Sequence, residues 1–292
     1  MPSDFNVPQP QYERDTSRLA EYYQKSVRDI LVQLDRVDLT NATKANQRVV
    51  LAEIAKILSQ LNDDALAWVE ENIPLAARDG VATSLVTLGL AETFDEALKV
   101  VEFNRLNKSL IETAIADTQD DLLQITQNMD RKIKTTIRQS VAEVMRSNMA
   151  QGINGRKTIS REILAELRSK LGDAVETGII DAANRRWKPS VYAEMLTRTK
   201  MMQARMEATV NEAVSREAYY GTVSRNGSKH DDCRKWEGKI VKLVDSAPGN
   251  YPTLSSLRGQ KTGIFHPSCQ HQVLPVRDPS LLPQSIKEIN GL

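Results

Sequence analysis

The sequence predicts a mainly α protein: a body of long helices on the N-terminal side, followed by a small α+β module stapled by zinc on the C-terminal side. Three observations predict this. Apolar residues recur at three- and four-residue steps from about Tyr12 to Val214, and no proline or glycine interrupts the chain between Asn107 and Gln151. All three histidines and both cysteines fall between His230 and His271.

The length, 292 residues, leaves room for two compact units and a sizeable core. Lys plus Arg (39) and Asp plus Glu (38) nearly cancel, so the overall charge demands neither nucleic acid nor an anionic membrane as partner. No stretch approaches the roughly 18 to 20 apolar residues that span a bilayer, and Met1 to Phe5 lack the basic and apolar regions of a signal peptide. A soluble protein made and used in cytoplasm is expected. Two cysteines are too few for a disulfide scaffold of this size, and a close Cys/His group in a reducing compartment reads first as a metal site. Aromatic residues at 5% and charged residues at 26% fit a helical assembly protein better than an aromatic-lined enzyme pocket. No Gly-rich phosphate loop, nucleophile elbow or His-Glu-x-x-His helix occurs, and the expectation is that the chain is not an enzyme.

Pro2, Pro8 and Pro10 make residues 1–11 an extended arm. A first helix carries Leu19, Tyr22, Tyr23, Val27, Ile30 and Leu31; a second, with Asn41 as its N-cap, carries Val50, Ile54, Ile57, Leu58 and Leu61. A third runs from Ala65 to about Leu88, with Pro74 as a break or kink and Gly89 at its end. Thr93 and Glu96 form a capping box for a short helix whose buried side is Leu98, Val100 and Val101. One very long helix, or two nearly collinear ones, covers about Asn107 to Gln151, ended by Gly152 and Gly155, which mark the best domain boundary. Ser160 caps a helix holding Ile163, Leu164, Leu167 and Leu171; Asp173 to Ala183 is helix-like and Arg185 to Pro189 a loop. The last long helix begins at Ser190 with a stripe of Tyr192, Met195, Thr199, Met202, Met206, Val210 and Val214, its methionines serving as core filler. Beyond Tyr220, glycines and prolines punctuate short β-like runs at Thr222–Ser224, Lys239–Val244 and Gln272–Leu274. Such a segment has little core of its own and needs a further constraint.

That constraint is read from His230-x2-Cys233 and His266-x2-Cys269-x-His271. Two knuckles of this spacing supply a closed tetrahedral site, and thiolate sulfur with neutral imidazole suits Zn2+. The expected ligands are His230, Cys233, His266 and Cys269, with His271 as the alternate. Four protein ligands leave no place for an activated water, so the zinc is expected to be structural. The bland readings are a Cys233–Cys269 disulfide and unliganded side chains that merely pack. Asp231 and Asp232 are expected to be solvated rather than to orient ligand imidazoles, and Lys229, Arg234, Lys235, Lys239 and Lys242 to form a solvated basic face rather than a DNA contact.

Residues Arg198 to Pro275 resemble the C-terminal domain of phage Mu F-like head morphogenesis proteins, also called minor capsid or minor head proteins. A helix of the type Arg198-Thr199...Ala204-Arg205...Asn211-Glu212-Ala213 leads into Tyr220-Gly221. Next comes the knuckle His230 to Cys233 with Gly238-Lys239-Ile240 after it, and then the ending Gly263-Ile264-Phe265-His266-Pro267-Ser268-Cys269-Gln270-His271. His230 stands where many relatives have a cysteine. The resemblance covers the last third of the chain, and the N-terminal helices match no motif. The residue pattern gives an arm over 1–11, a helical domain over 12–152 and an extended tail over 277–292, and the resemblance implies a head-morphogenesis domain over 156–276 with its zinc module at 221–276. It further implies a minor head protein in the virion, at the portal vertex or capsid interior. Its expected partners are the portal protein, the major capsid protein or both, packaged DNA, and its own copies, with no membrane during assembly in host cytoplasm. Two rival readings remain: a zinc-containing nuclease using His266 or His230 as base, and a zinc DNA-binding module on a helical oligomerisation arm.

Overall fold

In this computed structural model the described residues are 5–36, 44–152, 161–163, 165–167, 169–171, 179–181, 184–226, 231–257, 264–266 and 269–292. The protein is mainly helical, with long helices and a small sheet module. The helices are α1 (Glu13–Arg36), α2 (Lys44–Thr87), α3 (Phe94–Lys99), α4 (Arg105–Ala150), α5 (Pro189–Ser215), α6 (Asp231–Arg234), α7 (Leu254–Leu257) and α8 (Gln284–Asn290). The strands are β1 (Ile179–Ile180), β2 (Arg186–Trp187), β3 (Tyr220–Val223), β4 (Ile240–Lys242) and β5 (Val273–Val276). Among the described residues, no helix is long and apolar enough to cross a membrane.

Two compact units divide the chain, each assembled from separated stretches. Unit 1 comprises Met1–Glu13, Glu70–Asp117 and Met195–Leu292; unit 2 comprises Arg14–Val69 and Thr118–Glu194. This partition differs from the consecutive one expected from the sequence, because α2, α4 and α5 each contribute residues to both units. Gly152, with φ of 68°, does end α4, as its freedom from a Cβ allows. Gly155 lies outside the described residues, as do Asn41 and Ser160.

Unit 2 is a helical core. Leu19, Tyr23 and Ile30 of α1, Ile54, Leu61 and Trp68 of α2, and Leu122, Ile125 and Ile133 of α4 are buried at helical spacing, together with Ile163, Leu167 and Leu171. Two of its large buried side chains place their polar atoms on backbone carbonyls: the Tyr23 hydroxyl donates to the Leu122 carbonyl at 3.3 Å and the Trp68 indole to the Asp15 carbonyl at 2.9 Å. One expectation fails here. Asp173 to Ala183 reads as helix-like, yet Ile179 and Ile180 pair antiparallel with Trp187 and Arg186, in the segment read as a loop. Asp181 decides the matter: its carboxylate accepts from the Arg185 backbone at 2.8 Å and the Trp187 indole at 3.0 Å, fixing a turn that helical backbone would not allow. The β-branched isoleucines suit the short strand before it.

Unit 1 is built where α5 passes α2 at close range. A Cβ on Gly80 would lie 2.1 Å from the Arg205 carbonyl oxygen, so only glycine fits. Thr209 Oγ1 donates to the Gly80 carbonyl at 3.0 Å, and Ser84 Oγ to the Thr209 carbonyl at 2.6 Å. Most of the fully buried residues of α5 are accordingly small or polar, Ala193, Thr197, Ala204, Ala208, Thr209 and Ala213 among them, with Met201 the large exception, and the apolar stripe expected from Tyr192 to Val214 mostly flanks them half-buried. Two further corrections follow from packing. Pro74 does not break α2: one lost backbone bond is outweighed by the buried run of Ile73, Ala76 and Ala77 around it. Val100 is 61% exposed because it is the C-cap of α3; Ala97 is the buried residue, with Phe94, Leu98 and Val101 packed on the same cluster. The Thr93–Glu96 capping box forms as read.

Residues 5–12 and 277–292 both pack within unit 1. Val7 and Tyr12 of the arm are buried, and Arg205 reaches them: its guanidinium donates to Thr83 Oγ1 at 3.0 Å and the Pro8 carbonyl at 3.5 Å, and pairs with Asp79 at 3.4 Å. Residues 277–292, expected to be extended, carry a 3-10 turn (Pro279–Leu281) and α8. Leu282 and Ile286 supply enough apolar surface to pack with Ile240 and Val276, which the sequence reading undervalued. The three-stranded antiparallel sheet has the order β4-β3-β5, with Thr222 paired to Ile240 on one side and Leu274 on the other.

Gly80→Ala is expected to lower the unfolding free energy by about 3 kcal/mol or more, because backbone rather than a side chain must move to admit the methyl group. Arg205→Ala should cost about 3 kcal/mol by leaving buried partners unpaired, and Arg205→Met less. Urea denaturation followed by circular dichroism checks both; a change of under 0.5 kcal/mol, roughly the range of neutral surface substitutions, would contradict the close-approach account.

Candidate metal centre

The sheet module places its ligands by short-range backbone structure. Cys233 sits in α6, whose single turn is continued by the Trp236 amide bonding the Cys233 carbonyl at 3.1 Å. Phe265 takes a left-handed backbone, φ 66°, which turns the chain sharply before His266. The Cys269 amide then bonds the His266 carbonyl at 2.9 Å, closing the His-x2-Cys knuckle. Gly238, φ 76°, makes the reversal that returns the chain from α6 into β4. Around these turns Met206, Val223, Val241, Leu254, Leu257, Ile264 and Val273 form one apolar cluster with the two cysteines.

Cys233 Sγ, a nitrogen of His266 and Cys269 Sγ all lie within 4.8 Å of one another. Cys233 Sγ is 3.1 Å from His266 Nε2. Cys233 is 2% exposed and Cys269 7%, while His266 reaches the surface. Three of the four expected ligands are therefore together, and the fourth, His230, lies outside the described residues, as does Lys229. His271, the alternate, stands beside the group: Nδ1 is 3.4 Å from Cys269 Sγ and Nε2 is 3.1 Å from Glu237 Oε1. A cavity of about 20 Å³ is bordered by His266, Cys269 and His271, with Thr199, Met202 and Met206 of α5 on its other side.

The donor set fits a metal. Ligands on a tetrahedral Zn2+ with bonds of about 2.3 Å to sulfur and 2.0–2.1 Å to nitrogen stand roughly 3.6 Å apart, the range seen here. The electrostatics fit as well. Burial, the neighbouring Cys269 thiol and the charges of Asp232 and Glu237 push the Cys233 thiol up to about 11. Burial also opposes ionisation of Cys269, but hydrogen bonds from His271 outweigh it and hold that thiol below its ordinary value. Burial disfavours the His271 imidazolium, yet the bonds to Cys269 and Glu237 prevail and raise it. A cation at this point would neutralise what is otherwise an expensive concentration of buried thiol, imidazole and carboxylate.

The surroundings are as the sequence suggested in part. Asp232 pairs with Lys235 at 3.0 Å on the exposed face. Lys239 is not part of a free basic face: its ammonium donates to the Ile289 carbonyl of α8 at 2.7 Å. Sequence reasoning missed Glu237, whose side chain is 12% exposed and which joins His271 to the Asn226 amide at 3.1 Å. The one available signal was an acid four residues beyond Cys233, in a stretch already rich in charge.

A family model described as phage minor capsid protein 2 matches residues 38–285. The chain belongs to this family. The match takes in the metal group and most of the N-terminal helices, whereas the resemblance seen in the sequence covered only the last third. No curated protein and no solved structure matches the chain. As a phage minor capsid protein the chain has a structural role in the capsid, a place in the virion and other virion components as its assembly partners.

Metal loading of this minor capsid protein must displace the proton that Cys233 holds at neutral pH. Apparent metal affinity is expected to fall about tenfold for each pH unit per proton displaced as pH drops from 8 to 6, with protons released on binding. Competition against a chromophoric chelator at several pH values measures this. An affinity independent of pH would exclude Cys233 as a ligand.

Proposed function

We propose that this protein is a minor head protein that acts in head morphogenesis at the portal or the capsid interior, and that its C-terminal module is held by one structural zinc ion. The observation that carries the assembly reading is the family match over residues 38–285. The zinc reading rests on the convergence of Cys233, His266 and Cys269 inside the apolar cluster of a module with only a three-stranded sheet. Two thiolates and an imidazole favour Zn2+ over oxygen-seeking Mg2+ or Ca2+. A site closed by a fourth protein ligand leaves no position for an activated water, which sets this reading ahead of a nuclease. The partners are portal protein, major capsid protein or both, with packaged DNA as a further contact and the chain's own copies alongside.

Such a zinc site supplies folding free energy to a region short of core. The metal joins α6, which follows β3, to the loop that leads into β5. Removing it loosens the loops at one end of the sheet.

Elemental analysis of purified protein should find one zinc per chain, and Cys269→Ser should lower zinc content while leaving the far-ultraviolet helical signal of α1, α2 and α4 largely intact. For the assembly role, the protein is expected to co-purify with the portal ring or with procapsids and to appear in purified particles by mass spectrometry. Absence from both would overturn the head-assembly reading, and zinc-free protein with two freely titrating thiols would overturn the metal.

A further inference from the structure

We infer that His271 is the fourth metal ligand, through Nδ1, and that Glu237 is the positioning carboxylate that fixes its ring for that task; this rests on the metal reading above.

The ring has two nitrogens with different duties. Nε2 lies 3.1 Å from Glu237 Oε1, and Nδ1 faces Cys269 Sγ at 3.4 Å. A proton on Nε2 donated to the carboxylate leaves a lone pair on Nδ1, directed at the sulfur's side of the ring. Metal-bound histidines characteristically donate their other N–H to a carboxylate or carbonyl, which selects the tautomer and the ring orientation. The 3.4 Å separation is close to the roughly 3.6 Å edge between sulfur and nitrogen ligands on one tetrahedral ion. His271 also borders the small cavity shared with His266 and Cys269.

Placement supports the same assignment. His271 is 4% exposed, and a buried imidazole needs partners for both nitrogens. Glu237 is itself held, because Oε1 accepts from the Asn226 backbone amide at 3.1 Å. Asn226 is anchored in turn: its Nδ2 donates to the Gln270 carbonyl at 2.9 Å, and its Oδ1 accepts from Gln9 of the arm at 2.7 Å. The carboxylate therefore stands on a frame that spans the loops after β3 and before β5. His271 stands outside the group of three within 4.8 Å, so ligation requires its ring to shift toward the cavity that it borders.

Cobalt(II) titration of the full chain, with absorption read in the thiolate charge-transfer and d–d regions, tests the inference. Wild-type protein is expected to bind one Co2+ in a tetrahedral site with two thiolates. His271→Cys should retain one Co2+ and raise the charge-transfer intensity about 1.5-fold, since a third thiolate joins the ion. Glu237→Gln should weaken Co2+ binding about 10- to 100-fold with the charge-transfer intensity per bound ion unchanged. His230→Ser should bind like wild type. An unchanged charge-transfer band in His271→Cys, wild-type affinity in Glu237→Gln, or loss of the site in His230→Ser would each overturn the assignment. If His271→Cys does not fold, the Glu237→Gln titration decides. Wild-type protein that binds no Co2+ is a separate result, and it would bring down the metal reading itself.

Discussion

The approach of α2 to α5 at Gly80 is the constraint on which unit 1 depends. With the Arg205 carbonyl 2.1 Å from where a Cβ would stand, the two backbones are as near as backbones can come, and the surrounding residues follow from that distance. Ala204 and Ala208 are small enough to sit in the seam, and the hydroxyls of Ser84 and Thr209 bond carbonyls of the opposite helix. Close packing raises the dispersion energy per residue but leaves no room for long apolar side chains. The larger residues of α5 are therefore displaced to its flanks, and one of them, Met206, enters the apolar cluster of the metal module. The seam thus sets the position of the module's α5 wall.

Arg205 connects the seam to the arm. A guanidinium 3% exposed at its side chain is costly unless its donors are matched: Thr83, Asp79, Tyr12 and the Pro8 carbonyl take its two terminal nitrogens, Nε makes no hydrogen bond, and Phe94 offers a ring face at 5.7 Å. Two of those partners belong to residues 5–12. Ordering the arm and burying the arginine are one event in energetic terms, since either without the other leaves polar groups without partners. That coupling explains how residues 5–12, with Pro8 and Pro10 among them, are held without any regular secondary structure before α1.

What was legible in the sequence divides along the same physical line. Helical periodicity depends on large apolar residues facing a core, so α1, the first half of α2 and α4 were visible from Leu19, Ile54, Leu122 and their neighbours. The ligand cluster was visible because cysteine and histidine are rare here and their spacing is chemical. The α5 seam was hidden because alanine and threonine carry no hydrophobic signal, and the β1–β2 hairpin because its turn rests on the Asp181 side chain and a left-handed Asn184, with no glycine to advertise it. Pro74 was misread for a related reason: a proline's local penalty of about 3 kcal/mol is fixed, whereas the burial that offsets it is a property of distant residues. Glu237 was invisible because an acid's role is set by what it faces, and its neighbour His271 comes from the stretch before β5, 34 positions away.

The arm and the metal loops meet through a short series of polar contacts. Gln9 bonds Asn226, which bonds both Glu237 and the Gln270 carbonyl; Gln270 in turn reaches Glu13, and Gln272 donates to the Pro8 carbonyl at 3.2 Å. Proline suits this place. It has no N–H to leave unsatisfied against the module, and its carbonyl is free to accept, here from both Arg205 and Gln272. Asn226, Gln270 and Gln272 thus tie the loops after β3 and before β5 to residues 8–13. Residues 5–13, the seam arginine and the metal loops are therefore joined in unit 1 by contacts between positions more than 200 residues apart in the chain.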